Sequence, residues 1–232
     1  MSGVVVAIDG PSGSGKSTIS RRVAAELGLA YLDTGAMYRA ATWWCLDQGV
    51  PLTDADAVVG AVARMPLEMV MDPGAPTVRV AGQDITEAIR STQIATEVSK
   101  VATNIPVRAE LRRRQRELVG HELGAAGRSG GRGIVAEGRD ITTVVAPDAN
   151  VRILLTASEE ARLARRAREV HGSDDAGALA ATADQVLRRD RDDSTVSAFL
   201  TASDGVTTVD SSSLTLDETV AAVRKLIEET NA

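Results

Sequence analysis

The sequence predicts an α/β fold in which a parallel five-stranded sheet is flanked by helices. Short runs of β-branched and apolar residues alternate with helical patterns along the 232 residues, as expected for a parallel sheet with crossover helices. A glycine-rich loop also follows the first of these runs and precedes a helix. The runs predicted to form the strands are residues 4–8, 29–32, 134–136, 151–156 and 206–209.

Helices are predicted between these runs. Residues 16–27 place apolar side chains four apart and are followed by Gly28, which is typical of a helix end. A second helix is predicted over residues 36–47, and a last helix with one apolar stripe over residues 216–229.

The stretch from about residue 65 to residue 90 interrupts the alternation. Residues 77–80 alternate like a strand and can pair with residues 67–71 across a Pro-Gly turn. We interpret this stretch as an inserted hairpin subdomain, and residues 124–133 as a flexible loop that leads to the central strand.

The glycine-rich loop, GPSGSGKST, is the clearest local signal. Its spacing fits G-x-x-x-x-G-K-[ST] between a strand and a helix, although a chance glycine-rich turn is the alternative. Glycine lets backbone N–H groups turn inward around phosphate oxygens, and the helix dipole adds positive charge. We expect Lys16 to reach the β and γ phosphates and the Ser17 hydroxyl to ligate Mg²⁺. The residues predicted to bind ATP are Gly10, Pro11, Ser12, Gly13, Ser14, Gly15, Lys16, Ser17 and Thr18.

Composition and charge limit the class of protein. A chain of this length with 44% hydrophobic and 25% charged residues fits one soluble domain with insertions. The net charge of −6 argues against a nucleic-acid partner. The single Cys45 excludes an internal disulfide, and His121 and His171 are interpreted as ordinary surface residues. Without a signal peptide or a long apolar run, we expect a cytoplasmic protein with no membrane contact.

Two polar clusters follow predicted strands, at the edge where ligands bind in open α/β sheets. The first is DTGAMYR at residues 33–39, in which Thr34 is alternatively a helix cap and Arg39 a surface charge. The second is EGRD at residues 137–140, for which a simple turn is the alternative.

Arginines recur in two further helical segments. In residues 108–116, Arg108 shares the apolar side of the helix with Leu111, whereas the arginines from 112 to 116 are interpreted as a solvated basic face. In residues 158–193, one helix face presents three arginines that can bind a triphosphate, unless they form scattered surface ion pairs. These three are Arg162, Arg165 and Arg166.

The ordered set of motifs resembles the bacterial cytidylate kinase family over nearly the whole chain. The motifs are GPSGSGKST, LDTGAMYR, GQDITEAIR, VRAELRRRQR, EGRDITTVVAPDA and RDRDDST. The resemblance implies one P-loop nucleoside monophosphate kinase domain over residues 1–232, with a CMP-binding insertion at 62–104 and an arginine-rich lid at 158–193. It also implies an enzyme that moves phosphate from ATP, with Mg²⁺, to CMP or dCMP. We expect this enzyme to be a monomer.

The resemblance also implies roles for particular residues. Lys16, Arg139, Arg162 and Arg165 are expected to act in catalysis. The CMP phosphate is assigned to Thr34, Tyr38, Arg39 and Arg139, the base to Ser99, Arg108 and Asp140, and the sugar to Arg189 and Asp193.

The chemistry of the acceptor agrees with this set. A phosphate monoester is already an anion near neutral pH, so the transfer requires alignment and charge cancellation rather than a general base. Asp140 can accept from the cytosine amine, and Arg108 can donate to the ring acceptors. The family usually has an arginine where this chain has Val196, so we expect discrimination against UMP to depend mainly on Asp140 and Arg108.

Two other classes remain open from the residues alone. A nucleotide-dependent switch or binding module would use the same phosphate loop, but it would not need arginines directed at a second phosphate. A kinase for shikimate or for another nucleoside monophosphate is the closer alternative.

Overall fold

The computed structural model describes residues 3–230, apart from the side chains of residues 184 and 185. The predicted domain of residues 1–232 therefore extends two residues beyond the described part at each end. The strands are β1 (Val4–Asp9), β2 (Ala30–Asp33), β3 (Leu67–Val70), β4 (Thr77–Val80), β5 (Gln83–Asp84), β6 (Gly133–Gly138), β7 (Val151–Thr156) and β8 (Thr207–Asp210). The α-helices are α1 (Lys16–Leu27), α2 (Thr34–Asp47), α3 (Ala55–Ala63), α4 (Thr92–Ala102), α5 (Ile105–Glu122), α6 (Glu159–His171), α7 (Ala176–Ser194) and α8 (Leu216–Thr230).

The predicted five-stranded parallel sheet is confirmed, with strand order β2-β6-β1-β7-β8. Alternate residues of β1 enter two cores: Val6 and Ile8 pack with residues of α1 and α8, whereas Val5 and Ala7 pack with residues of α2 and α5. The continuous apolar run of β1 thus reflects a strand buried on both faces. Because β1 and β6 are central, the segments that follow them meet at the carboxyl edge of the sheet.

The predicted helix limits are close to the observed ones, with one correction. Helix α2 begins at Thr34 instead of residue 36, and the N-cap is Asp33. The Asp33 carboxylate accepts the N–H of Ala36 at 2.9 Å, which satisfies a free donor of the first turn. Thr34 is therefore the first helical residue and not the cap.

The predicted hairpin is present as part of a three-stranded antiparallel sheet, β3-β4-β5. Met69 pairs with Val78, and the short strand β5 was not predicted. A separate apolar core joins this sheet to α2, α4 and α5. The turn of the hairpin lies against α1, where Arg21 Nε donates to the carbonyl of Pro73 at 3.2 Å. The limits of 62–104 for the insertion remain a prediction.

The region from 158 to 193 forms two helices, α6 and α7, which pack against each other. Ser158 is the N-cap of helix α6, and Glu159 and Glu160 lie in its first turn. Their negative charges stabilise the positive end of the helix dipole. Across the described residues 3–230, no helix is long and apolar enough to cross a membrane.

Candidate functional site

A cavity of about 890 Å³ lies at the carboxyl edge of the main sheet. Its walls come from the phosphate loop, the start of α2, the hairpin insertion, the segment after β6, and helices α6 and α7. Predicted site residues that line it are Ser12, Gly13, Gly15, Lys16, Ser17, Thr18, Thr34, Tyr38, Arg39, Arg108, Arg139, Asp140, Arg189 and Asp193. These predicted site residues come from five separate sequence motifs, and Thr86, Ile89 and Arg90 of a sixth, GQDITEAIR, also line the cavity.

The phosphate loop turns sharply into α1. Gly13 and Gly15 have φ values of 76° and 87°, in the left-handed region that favours glycine. Lys16 begins the helix, and its Nζ donates to the carbonyl of Pro11 at 3.3 Å. Burial lowers the pKa of Lys16 to about 8, and nearby Arg139 adds to this effect while Glu137 opposes it. A buried ammonium in this position favours the binding of an anion.

Arg162 and Arg165 contact the outside of this loop. Arg162 Nη1 donates to the carbonyl of Ser12 at 2.9 Å, and Arg165 Nη1 donates to that of Ser14 at 3.3 Å. Because the two arginines bind these backbone carbonyls, they hold the loop in its turned conformation. Of the three arginines predicted to face a triphosphate, Arg166 lines the cavity, whereas Arg162 and Arg165 support the loop. The predicted catalytic role of Arg162 and Arg165 stays a prediction.

Asp190 of α7 links the same loop to Arg139. Its carboxylate accepts the N–H of Ser12 at 3.0 Å, pairs with Arg162 at 2.5 Å and lies 3.3 Å from Arg139 Nη1. Sequence reasoning missed Asp190, although it lies within the motif RDRDDST. The available signal was its position three residues before Asp193.

Arg139 is further enclosed by the end of the lid. Its Nε pairs with Asp193, and its guanidinium lies 4.6 Å from the ring centroid of Phe199. Arg189 lies 3.7 Å from the same carboxylate of Asp193. Burial lowers the pKa of Arg189 to about 10, and the positive charges of Arg139 and Arg39 contribute. The cluster therefore has an excess of positive charge around Arg189.

A second charged cluster lies at the ends of β2 and β6. Arg39 Nη2 pairs with Asp33 at 2.7 Å, and the Thr34 hydroxyl donates to the carbonyl of Glu137 at 2.8 Å. Tyr31 donates its hydroxyl to the Glu137 carboxylate at 3.0 Å. Burial and the charge of Asp33 raise the pKa of Glu137, while Lys16 opposes this shift. Glu137 was part of a predicted motif but was not assigned a role.

Arg108 and Asp140, the predicted base-reading pair, are in contact. Arg108 Nη2 lies 2.6 Å from Asp140 Oδ2, and the Ser197 hydroxyl lies 2.5 Å from the same nitrogen. Ser99 is half-buried on α4, but the α4 residues that line the cavity are its neighbours Ala95, Val98 and Ala102. The structure therefore does not bring the Ser99 side chain to the cavity wall.

The solvated basic face predicted for residues 112–116 needs a correction. Arg113 is exposed and pairs with acids of its own helix, as predicted. Arg112 instead turns to Asp140, and Arg114 donates to backbone carbonyls of residues 62, 63 and 65. Arg116 Nη2 donates to the carbonyl of Val144 at 2.8 Å. The row of arginines thus connects α5 to its neighbours at several points.

Several donors on the cavity wall are buried without a hydrogen-bond partner among the described residues. They are the Tyr38 hydroxyl and the Nε–H groups of Arg39, Arg108 and Arg189. Burial raises the pKa of Tyr38 to about 12, so its hydroxyl remains a donor near neutral pH. Unpaired buried donors are costly, and a ligand rich in oxygen atoms would satisfy them.

The motifs, the phosphate loop and the arginines that line the cavity agree with one family model. The model for cytidylate kinase matches residues 6–229. The chain belongs to the cytidylate kinase family. This finding confirms the resemblance of the motifs and, with it, the prediction of a kinase.

Curated cytidylate kinases are similar to this family member over nearly their whole length. The cytidylate kinase of Streptomyces avermitilis is 44% identical over 230 residues, which cover 99% of this chain and 94% of the relative. That of Cutibacterium acnes is 47% identical over 228 residues, covering 98% and 97%. The crystal structure of an uncharacterized protein from Eubacterium ventriosum shares the fold, with a TM-score of 0.51, 11% identity and 99% coverage of both chains.

Proposed function

We propose that this protein transfers the γ-phosphate of ATP to CMP or dCMP, giving ADP and CDP or dCDP. The observation that carries the proposal is a second cationic wall of the cavity, which lies beside the phosphate loop and touches it through Arg139. Arg39, Arg139 and Arg189 form this wall, and it includes buried donors without partners. A switch or binding module needs the phosphate loop alone, whereas a kinase with a phosphorylated acceptor needs both walls.

The donor site is the phosphate loop. Backbone N–H groups from Gly13 to Thr18 bind the phosphates of ATP, and Lys16 neutralises the transferring phosphoryl group. The carbonyl contacts of Arg162 and Arg165 support this assignment, because they fix the opposite side of the loop. The loop thus enters the reaction already in its binding conformation, which reduces the cost of reorganisation.

The residues beside the loop fit a magnesium ion. The Ser17 hydroxyl would ligate it, with the carboxylates of Asp33 and Glu137 lining the same part of the cavity. Within residues 3–230 no group of three His, Cys, Asp or Glu side chains forms a metal cage. Such a sparse set of oxygen ligands suits Mg²⁺, which keeps several waters and binds substrate phosphates. Bound there, the ion supplies charge neutralisation for the phosphates.

The acceptor phosphate is proposed to lie against Thr34, Tyr38, Arg39 and Arg139. The unpaired Tyr38 hydroxyl and the Arg39 Nε–H are the donors that it would satisfy. Because the acceptor oxygen is already anionic near pH 7, these groups need only align it with the γ-phosphate and cancel repulsion between the two anions. No residue is required to remove a proton.

The base is proposed to lie at Arg108 and Asp140, and the sugar at Arg189 and Asp193. The carboxylate accepts from the cytosine amine, and the unpaired Arg108 Nε–H is a donor for a ring acceptor. Uracil would place a carbonyl opposite the carboxylate and leave two acceptors facing each other, at a cost of about 1–3 kcal/mol. Ser99 remains a proposed base contact, although its side chain is not at the cavity wall.

Acceptor profiling tests the proposal. The purified protein is assayed with ATP and Mg²⁺ against CMP, dCMP, UMP, AMP, GMP and shikimate, with detection of ADP and of the phosphorylated product. We expect the highest kcat/KM for CMP or dCMP, and a loss of orders of magnitude in kcat for a folded Lys16→Met variant. Equal or better turnover of another acceptor, or ADP formation without a phosphorylated product, would exclude the proposed reaction.

We also infer a cytoplasmic monomer without a nucleic-acid or membrane partner. The net charge of −6 and the buried free thiol of Cys45 support this inference. Size-exclusion chromatography with light scattering tests the oligomeric state, for which a mass near 24.3 kDa is expected.

A further inference from the structure

The carboxylate of Asp140 is held by two arginines that lie one helical turn apart on α5. Arg108 Nη2 approaches Asp140 Oδ2 at 2.6 Å. Arg112 reaches the same oxygen with two nitrogens, Nε at 2.7 Å and Nη2 at 2.6 Å. The side chains of Asp140 and Arg108 are each 5% exposed, and that of Arg112 is 20% exposed. The contact is therefore a largely buried, forked ion pair, which restricts geometry more than a single contact does.

The two arginines have different positions relative to the cavity. Arg108 lines the cavity, and its Nη1 also donates to the carbonyl of Ala102 at 3.0 Å. Arg112 is not part of the cavity wall, and its contacts with Asp140 lie behind it. The contact through which Arg112 can act on a bound base is therefore its pairing with Asp140.

We propose that Arg112 is a positioning residue that sets the preference for a nucleobase with an exocyclic amine over one with a carbonyl. The inference rests on the proposed function, since it places the base at Asp140. Three N–H contacts converge on Oδ2, and no residue in the described part of the chain donates to Oδ1. Oδ1 is thus the acceptor left for a ligand.

The forked contact explains why a second arginine matters. With Arg108 alone, Oδ2 would have a single arginine partner, and the carboxylate could turn about its side-chain bond as that arginine moves. A turned carboxylate, or an Arg108 drawn fully toward it, would accommodate a base carbonyl more easily. When Arg112 fixes the carboxylate, Oδ1 can accept a hydrogen bond from the amine of a base. A base carbonyl in the same place would put two acceptors opposite each other, which is unfavourable in a buried site.

Arg112 also supplies a guanidinium near the place where the sequence lacks one. Ser197, the residue after Val196, contacts Arg108. Arg191 of α7 is exposed. The structure instead provides the additional guanidinium from α5.

Binding measurements on three variants of α5 test the inference. Dissociation constants for CMP and UMP are measured by titration calorimetry for the parent, Arg112→Gln, Arg112→Lys and Arg113→Gln. Arg113 is the matched control, because it is next in sequence, is exposed and pairs with Glu110 and Glu117 of its own helix. We expect Arg112→Gln to reduce the CMP-over-UMP affinity ratio about tenfold, Arg112→Lys to be intermediate and Arg113→Gln to equal the parent.

A double-mutant cycle separates positioning from a structural role. In an Asp140→Asn background, Arg112→Gln should change the ratio little, because Arg112 acts through the carboxylate. An unchanged ratio in Arg112→Gln, or an equal loss with and without Asp140, would overturn the inference. Thermal unfolding identifies a purely structural effect, which would lower the Tm and leave the ratio intact.

Binding and turnover also distinguish this inference from the proposed reaction. If the parent prefers CMP in binding but does not phosphorylate it, the proposed function fails and the ratio still tests Arg112. If the parent phosphorylates CMP and Arg112→Gln keeps its preference, the inference fails alone. A parent without any preference for CMP over UMP in binding would overturn the inference directly.

Discussion

The carboxylate of Asp190 accepts a hydrogen bond from the backbone N–H of Ser12 at 3.0 Å, and this contact joins the lid helix α7 to the phosphate loop. The same carboxylate pairs with Arg162, which in turn holds the carbonyl of Ser12. Asp190 also lies 3.3 Å from Arg139, on the proposed acceptor side. One buried carboxylate thus connects the phosphate loop, helices α6 and α7, and Arg139.

Replacing Asp190 by Asn should lower kcat more than it affects KM. The amide keeps one acceptor for Ser12 but leaves Arg162 without its buried counter-charge and Arg139 with Asp193 alone, so the two phosphates would be misaligned. We expect a fall in kcat of about 10- to 100-fold, with KM for ATP unchanged or lower because positive charge is gained. Steady-state kinetics with both substrates varied checks this result. Asp192→Asn, on the same helix, is the control, and an unaltered kcat in Asp190→Asn would count against the link.

Gly13→Ala should destabilise the protein more than a glycine replacement that causes strain alone. Gly13 has φ 76°, and an added Cβ would lie 2.6 Å from the carbonyl oxygen of Arg162, on the backbone of α6. Gly49 has φ 67° with nothing within 4 Å of an added Cβ, so Gly49→Ala isolates the backbone strain. We expect about 1 kcal/mol of lost unfolding free energy for Gly49→Ala and about 2–4 kcal/mol for Gly13→Ala in urea titrations.

Equal losses of unfolding free energy in the two variants would show that α6 can move away from the loop without destabilising the protein. In that case ATP binding by Gly13→Ala, measured in parallel, would report whether the loop itself keeps its conformation.

The main sheet was predictable because its strands are continuous apolar runs that pack on both faces. The hairpin was predictable because its Pro-Gly turn separates two alternating runs. The start of α2 was misplaced because Asp33, Thr34 and the next residues all suit a helix terminus, and the sequence does not show which one accepts the N–H of Ala36.

The phosphate loop was predictable from spacing alone, whereas the partners of individual arginines were not. Arg112 and Arg113 are adjacent and identical in type, yet one contacts Asp140 and the other is exposed. The difference depends on which residue the end of β6 brings beside α5, which is a property of the tertiary structure. For the same reason the sequence did not show that Arg162 and Arg165 would contact the outside of the loop.

ATP binding should weaken as the pH rises above about 8. Burial lowers the pKa of Lys16 from its usual 10.5 to about 8, so the nucleotide-free protein loses this positive charge near that pH. Triphosphate favours the ammonium form, and binding should therefore take up a proton at pH 8–9. Calorimetry in two buffers of different ionisation enthalpy measures this uptake. We expect the parent to take up a fraction of one proton for each ATP bound, and Lys16→Met to take up none at this site.

The same shift has a consequence for stability. Between about pH 8 and 10.5 the unfolded chain binds the Lys16 proton more strongly than the folded chain, so this group alone makes the free energy of unfolding increase with pH. Saturating ATP should remove that contribution, because it returns the proton to the folded state. A proton uptake independent of Lys16 would assign the pH dependence to another group.

Val196→Arg should restore discrimination mainly where Arg112 is absent. Val196 is half-buried just after α7, its N–H donates to the carbonyl of Asp193, and the next residue contacts Arg108. In the parent, Oδ2 of Asp140 already receives contacts from Arg108 and Arg112, so another guanidinium gains little. In Arg112→Gln that place is open. We therefore expect Val196→Arg to raise the CMP-over-UMP ratio of kcat/KM by up to about tenfold, or ~1.4 kcal/mol, in Arg112→Gln, and by less than about threefold in the parent.

Val196→Lys is the control for charge without the forked geometry of arginine. A tenfold rise of the ratio in the parent would mean that a base contact is missing there. No rise in either background, with folded variants, would place position 196 outside the pocket.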